Sequence, residues 1–214
     1  MPSQVDICNL ALANLGDSAT VASIDPPEGS AQAEHCARFY PIALATMLET
    51  HDWSFSTRRG ALTAAPSNPS STWSYAYVLP AGIIRPIAVL NPAAGDDYSE
   101  AFTNGMGGNY TPQPYVTEAL ADGTKILLTN QADAVLRYST TVTDTAKFTP
   151  LFVEALVSLL EAKLAGPVIK GEPGRAASKA ALQAHAYWVA KAKASDGGSR
   201  NVTPEAAVGW LSAR

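Results

Sequence analysis

Three histidines, His35, His51 and His185, are the side chains in this sequence best suited to acid–base chemistry. Each falls on or at the end of a predicted helix, where a histidine more often serves as a packing or surface residue than as a catalytic base. The sequence has no Gly-x-Ser-x-Gly nucleophile elbow. Because no set of nucleophile, base and oxyanion donors occurs in a recognisable order, we predict that the protein is not an enzyme.

A glycine cluster at residues 105–109 (Gly-Met-Gly-Gly-Asn) is the one segment that could cradle a phosphate. It lacks the Lys-Ser/Thr pair of a P-loop, and no helical pattern starts directly after it. A turn is therefore the better prediction. Asp96 and Asp97 precede it in the same glycine-rich stretch, where we expect a solvated turn and keep a weak cation site as the alternative.

Arg58 and Arg59 follow an aromatic cluster and could bind an anion. A salt bridge at a helix end or between subunits explains the pair equally well. Cys8 and Cys36 each lie inside an apolar helical pattern, which indicates reduced core cysteines. Two cysteines and three scattered histidines show no metal-ligand spacing, so we predict neither a metal site nor a cofactor.

The composition favours a globular chain with a sparsely charged surface. Hydrophobic residues make up 47% and charged residues 16% of 214 residues, and the net charge is −4. A surface with few charges is easier to bury against another subunit. The sequence has no Lys/Arg run for nucleic-acid phosphates, no secretion signal at its first residues and no apolar run of the roughly 18–20 residues that span a bilayer. We therefore expect folding in a reducing cytoplasm and no membrane partner.

Helical periodicity occurs in two separate parts of the chain. The first part holds a helix that starts at Ser3 and stops at Gly16, then a longer helix from Ser30 to about Leu48. Pro41 lies inside the longer pattern and predicts either a kink or two abutting helices. The second part holds a helix from Phe148 that Gly166-Pro167 should stop, and an alanine-rich helix from Gly174 to about Ser195.

Strand patterns lie between the two helical parts. The candidates are Trp73–Leu79, Ile83–Leu90, Tyr115–Leu120, Lys125–Thr129 and Ala134–Val142. Pro86 makes Ile83–Leu90 an edge or bulged strand, and Asp122-Gly123 predicts a hairpin turn. Residues 91–112 are predicted to form a long loop.

This order of elements predicts an α+β fold. Residues 1–62 and 143–198 should form one helical bundle, with an antiparallel β-sheet domain inserted at residues 63–142. Residues 199–214 follow a glycine break and should form an extended C-terminal tail.

Read in order, short motifs along nearly the whole chain resemble the tail tubular protein A family, the head-to-tail adaptors of tailed bacteriophages. The quoted segments are Asn9–Gly16, Ile24-Asp25, Ala33–Tyr40, Leu48, His51–Phe55 with Arg58, Trp73–Pro80, Ile84-Arg85, Leu136–Tyr138, Phe148–Phe152, Glu154–Leu156 and the alanine-rich helix from Ala176. The chain departs from the family pattern at Ala81-Gly82 and at Pro41. Both departures concern local geometry.

The resemblance implies a structural role in the virion at the head–tail junction, after assembly in the bacterial cytoplasm. The family forms a homo-oligomeric ring, by resemblance a dodecamer, between the portal protein and a downstream tail or nozzle protein. DNA passes through the lumen without specific binding, and a mildly acidic chain suits that task.

Two sets of residues are candidates for assembly contacts. The tail carries Val202, Val208, Trp210, Leu211 and Arg214, which we expect to dock on the portal or a neighbouring subunit. The alternative is a tail that folds back on its own bundle. Subunit contacts are expected at Arg58, Arg59, Asn104, Met106, Asn109 and Tyr110.

A different class of function competes with the adaptor. Trp73, Tyr75 and Tyr77 alternate along one predicted strand and would line one sheet face. Such a face could serve a small intracellular carbohydrate- or peptide-binding module, although alternating aromatics are more often core.

Overall fold

The computed structural model describes residues 2–18, 20–92 and 113–198. These residues form four α-helices and two antiparallel sheets, which confirms the predicted α+β class. The chain divides into two compact units. We call them the helical unit (residues up to Phe55, and Val142 with the helices after it) and the sheet unit (Ser56–Thr141).

The helical unit begins with α1 (Gln4–Asn14) and α2 (Ala31–Glu49). Ser3 accepts from the Asp6 amide while the Asp6 carboxylate accepts from the Ser3 amide, so the predicted capping box forms. Contact with those Ser3 donors lowers the pKa of the Asp6 carboxyl. The Ser30 hydroxyl caps the start of α2 by accepting a hydrogen bond from the Ala33 amide. α2 is a single helix with Pro41 inside it, so the alternative of two abutting helices was wrong.

The second half of the helical unit is a pair of long helices, α3 (Pro150–Ile169) and α4 (Gly171–Gly198). α3 packs against α1, α2 and α4 and is the central helix of this unit. The predicted stop at Gly166-Pro167 was wrong, because α3 continues through both residues to Ile169. The last turn of α3 packs closely on the first turn of α4: a Cβ on Gly174 would lie 2.9 Å from the Ala165 carbonyl oxygen. The absence of a side chain at Gly174 therefore lets the two helices approach closely at this turn.

The described part of the sheet unit contains seven strands in two sheets. The first sheet has the order β1-β7-β4 and the second β2-β3-β6-β5. The strands are β1 (Thr57–Ala61), β2 (Thr63–Ala64), β3 (Tyr75–Val78), β4 (Ile83–Leu90), β5 (Tyr115–Ala119), β6 (Lys125–Thr129) and β7 (Val135–Thr140).

Five of these strands match the predicted ones. β4 lies at a sheet edge with irregular register at Pro86, as its proline predicted. Gly123, at φ +84°, sits in the turn between β5 and β6. The short strands β1 and β2 were not predicted, and β1 starts at Thr57, before the boundary expected after residue 62. Its pairing partner is β7, about eighty residues later in the chain, which a local pattern cannot reveal.

Two clusters of buried side chains hold the sheet unit together. Tyr77 and Leu127 of one sheet pack with Val89 and Leu136 of the other. On the opposite face of β6, Ile126 and Leu128 pack with Ala76 beneath Trp73 and Leu120. Consecutive residues of β6 therefore enter different clusters, as the alternation of side chains along a strand requires.

Candidate functional site

The corner after α2 brings together His51–Phe55 and Phe148–Phe152, two of the segments given above for the resemblance. Trp53 is fully buried there, and its indole N–H donates to the Met47 carbonyl oxygen at 2.8 Å. This bond satisfies the one polar group of a side chain that otherwise contributes apolar surface. Trp53 is therefore positioned by the last turn of α2.

Aromatic rings from two distant segments meet at this corner. Trp53 lies edge-on to Phe152 with ring centroids 5.0 Å apart, and Phe55 lies edge-on to Phe152 at the same distance. Phe148 contacts both Phe55 (5.6 Å) and Phe152 (4.8 Å). We call Trp53, Phe55, Phe148 and Phe152 the aromatic junction. Such pairs add about 0.5–1.5 kcal/mol each beyond the area they bury.

Asp196, near the end of α4, ties that helix to the same corner. Its carboxylate accepts from the Ser54 hydroxyl at 2.6 Å and from the Ser54 amide at 3.1 and 3.2 Å. The His51 Nε2 atom lies 3.3 Å from the second carboxylate oxygen. Asp196 is buried, so these contacts replace the water that its carboxylate would otherwise bind.

A serine, a histidine and an aspartate thus lie together, and the order of their contacts decides what they can do. In a hydrolytic triad the histidine contacts the serine hydroxyl and the aspartate orients the histidine. Here the Asp196 carboxylate lies between the other two side chains. One of its oxygens accepts a hydrogen bond from the Ser54 hydroxyl, and the other lies 3.3 Å from His51 Nε2. The Ser54 hydroxyl donates to the Asp196 carboxylate and not to His51, and the same carboxylate also accepts the Ser54 amide, so this cluster fits a structural tie.

The remaining histidines and the cysteines have packing positions. The His185 Nδ1 atom lies 2.9 Å from the Ala155 carbonyl oxygen of α3, and the His35 ring stacks on Phe39 at 6.4 Å. Cys8 and Cys36 are free and buried. A hydrogen bond with the Cys36 thiol and burial raise the pKa of the Cys8 thiol, which disfavours the reactive thiolate.

Arg58 and Arg59 lie on β1, at the edge of its sheet, and both are exposed. Arg58 pairs in register with Tyr138 and Arg59 with Arg137. Because successive side chains of a strand project to opposite faces, the two guanidinium groups do not form one joint anion site. An intersubunit role for them stays a prediction.

The aromatic residues of the competing binding-module hypothesis do not share one platform. Tyr75 and Tyr77 stack with centroids 6.2 Å apart, yet Tyr77 is buried in the cluster between the sheets. Trp73 precedes β3 and packs on the other cluster. The expectation that all three line one sheet face was wrong, because two of them fill cores on different sides of the same sheet.

A groove of about 340 Å³ lies within the sheet unit along the edge strands β4 and β5. Its walls are apolar on the β4 side (Leu79, Ile83, Ile84, Pro86) and mixed on the other (Thr117, Glu118, Ala119, Lys125). Tyr115 reaches across from β5 and donates to the Pro86 carbonyl oxygen at 3.3 Å. The sequence did not indicate this groove, since it depends on which strands become edges.

The other predicted contact residues lie outside the described residues. They are Asn104, Met106, Asn109 and Tyr110 of the internal segment and Val202, Val208, Trp210, Leu211 and Arg214 of the tail. The glycine cluster at 105–109 and the pair Asp96 and Asp97 lie outside as well.

Residues 2–18, 20–92 and 113–198 show neither a metal-binding cluster nor a membrane-spanning helix. No three or more His, Cys, Asp or Glu side chains in these ranges converge as they would to ligate a metal ion. None of the helices there combines the length and apolar character that crossing a membrane requires.

No protein-family model matches this sequence, and no curated protein matches it either.

Proposed function

We propose that this chain is a non-catalytic structural subunit of a tailed bacteriophage, a head-to-tail adaptor similar to the tail tubular protein A family. It forms a ring, by resemblance a dodecamer, that joins the portal protein to the tail and lets DNA pass. Its place is the head–tail junction of the virion.

The observation that carries this proposal is the aromatic junction. Two segments quoted for the resemblance, His51–Phe55 and Phe148–Phe152, lie about a hundred residues apart in sequence and pack on each other through Trp53, Phe55, Phe148 and Phe152. The alanine-rich helix, a third such segment, joins them through Asp196. These three motifs are therefore one connected structural element, which supports a common fold-building role for them.

The chemistry at that corner supports a structural subunit as well. The Ser54, His51 and Asp196 side chains are arranged as a tie between a helix end and a loop. A buried carboxylate that holds two chain segments together contributes rigidity, which a subunit under mechanical load needs.

The charge of the chain suits a conduit for DNA. With a net charge of −4, the subunit surface offers little non-specific attraction for a polyanion that has to move past it. The tail residues from Val202 to Arg214 are proposed to dock on the portal, with Trp210 as the anchor.

The test is assembly. The purified chain, alone and mixed with portal rings of the phage that encodes it, would be followed by gradient sedimentation and negative-stain electron microscopy. We expect rings, either free or seated on the portal. A chain that stays monomeric and does not sediment with the portal would contradict the adaptor.

A truncation after Gly198 sharpens that test. It should keep the melting temperature of the monomer and lose portal binding if the tail docks outward. Lower melting with unchanged portal binding would show that the tail folds back on its own bundle. Deleting residues 103–110 should likewise impair ring formation and leave the monomer folded.

A further inference from the structure

Two thiols lie against each other inside the helical unit. Cys8 belongs to α1 and Cys36 to α2, and both side chains are free and fully buried. The Cys8 thiol forms a hydrogen bond with the Cys36 thiol. A disulfide needs its two sulfur atoms about 2 Å apart, so two thiols already in contact have only a short distance left to close.

The connection between α1 and α2 anchors the helix segments that carry the thiols. The Asn9 side chain donates to the Val21 carbonyl oxygen at 2.9 Å and accepts from the Val21 amide at 2.8 Å. The Gln32 side-chain amide donates to the Asp17 carboxylate at 3.2 Å. Asn9 and Gln32 lie close to the two cysteines along their helices. The start of α2 and the middle of α1 are therefore both tied to the segment that joins these helices.

α1 and α2 are otherwise held together mainly through a third helix. Each of them packs extensively on α3, and they make few contacts with each other. A covalent bond between Cys8 and Cys36 would therefore add a direct connection to a pair of helices that largely lacks one.

A third polar group lies beside the thiols. The Tyr40 side chain is 3% exposed, and its hydroxyl has no hydrogen-bond partner among the described residues. Tyr40 follows Cys36 by one turn of α2 and so lies on the same face of that helix. Burial and the nearby Cys8 sulfur raise the pKa of the Tyr40 hydroxyl, which keeps it protonated. A buried donor without an acceptor can serve an oxygen atom that is added to a neighbouring sulfur.

The two thiols are not equivalent. The hydrogen bond that they share lowers the pKa of the Cys36 thiol, whereas the same bond and burial raise the pKa of the Cys8 thiol. Cys36 therefore loses its proton first and is the better nucleophile. Cys8 stays protonated next to it, in the position of a resolving thiol.

We propose that Cys8 and Cys36 form an intrachain disulfide when the folded chain meets a hydroperoxide. The Cys36 sulfur attacks one oxygen of hydrogen peroxide, the O–O bond breaks, and Cys36 becomes a sulfenic acid while the other oxygen leaves as water with the Cys36 proton. The Cys8 sulfur then attacks the Cys36 sulfur. The S–O bond breaks, the oxygen leaves as water with the Cys8 proton, and the S–S bond forms. Two electrons pass from the thiols to one peroxide.

The bond would close a loop of roughly thirty residues and stabilise the helical unit, chiefly by constraining the unfolded chain. This inference goes beyond the proposed adaptor function and does not depend on it. A virion component passes from a reducing cytoplasm into an oxidising medium, so in an adaptor the bond would form after release of the virion.

Peroxide treatment of the purified, folded chain tests the proposal. The chain is reduced, freed of reductant, exposed to hydrogen peroxide, and then denatured and alkylated. We expect a monomer that takes up no alkyl group and has lost the mass of two hydrogen atoms. Peptide mapping should find Cys8 and Cys36 in one cross-linked species. The melting temperature should rise by about 5–10 °C and return to its first value after reduction.

Three variants serve as controls. Cys8→Ser and Cys36→Ser each keep one thiol, so neither should show the rise in melting temperature. Dimedone, which traps sulfenic acids, should label Cys36 in the Cys8→Ser variant more strongly than it labels Cys8 in the Cys36→Ser variant. Tyr40→Phe removes only the hydroxyl and should slow formation of the disulfide severalfold. Circular dichroism checks that all variants keep their helices.

Two results would overturn the proposal. One is a folded native chain that keeps both thiols at peroxide concentrations that fully oxidise free glutathione. The other is sulfinic acid at Cys36, or disulfide-linked dimers, in place of the intrachain bond. The adaptor is tested separately by ring formation and portal binding. A chain that forms the disulfide but neither rings nor a portal complex would support this inference and contradict the adaptor.

Discussion

In the sheet unit, β6 buries Ile126, Leu127 and Leu128 in succession, because each of its faces packs on a separate cluster. In the helical unit, α3 is similarly surrounded, but its neighbour α4 is packed on one side only. The central elements of both units therefore bury their apolar side chains within a single chain. The longest helix does not, and its open face carries charged and apolar side chains. This contrast separates elements whose faces are covered within the chain from a helix that keeps one side exposed.

The largest effect is expected where the helical unit is most tightly packed. Trp53→Ala should lower the free energy of unfolding by about 3–5 kcal/mol, because it leaves a cavity and removes the ring that Phe152 contacts. Urea unfolding followed by circular dichroism measures the change. Trp188→Ala, on the partly exposed side of α4, serves as the control and should cost much less.

Replacing single leucines by alanine compares α3 and β6, which are packed on all sides, with α4, which is packed on one side. Leu156→Ala in α3 and Leu127→Ala in β6 should each cost about 2–5 kcal/mol, since both side chains are fully buried. Leu182→Ala in α4 should change stability by no more than about 0.5 kcal/mol, because this side chain is about half exposed. Equal destabilisation by all three would mean that α4 is not one-sided.

The tie between α4 and the corner after α2 should have an intermediate effect. Asp196→Ala removes the acceptor of the Ser54 amide and hydroxyl, so we expect a loss of about 1–3 kcal/mol. Ser195→Ala, an exposed neighbour in the same turn, should leave the unfolding midpoint nearly unchanged. If both substitutions behave alike, Asp196 is not a structural tie.

The smallest effect concerns how closely α4 approaches α3. Gly174→Ala would place a methyl group 2.9 Å from the Ala165 carbonyl oxygen, a backbone atom that cannot rotate away. Overpacking costs about 1–3 kcal/mol and the better helix propensity of alanine offsets about 1 kcal/mol of this, so we expect a net loss of about 0–2 kcal/mol. Gly197→Ala in the same helix meets open space and should be neutral or slightly stabilising. Thermal melting of the two variants side by side decides between them.

The site was less predictable than the fold. The motif His51–Phe55 can be recognised in the sequence. Its contact partners Phe148, Phe152 and Asp196 lie in distant segments, and no local pattern connects those segments to it.

The sequence alone determined the features that depend on a few neighbouring residues. Ser3 and Ser30 begin helices because their hydroxyls accept amides three residues ahead, and Thr149 does the same at the start of α3. Apolar periodicity placed all four helices and five strands, and Pro86 marked an edge strand because proline cannot donate to a central ladder.

The tertiary structure decided what depends on partners distant in the chain. It made Thr57–Ala61 a strand because β7 was available to pair with it. It also set Asp196 between Ser54 and His51, which turns three reactive residue types into a structural tie. Residue types and their spacing limit which contacts are possible. The packing of distant segments then determines which of those contacts form.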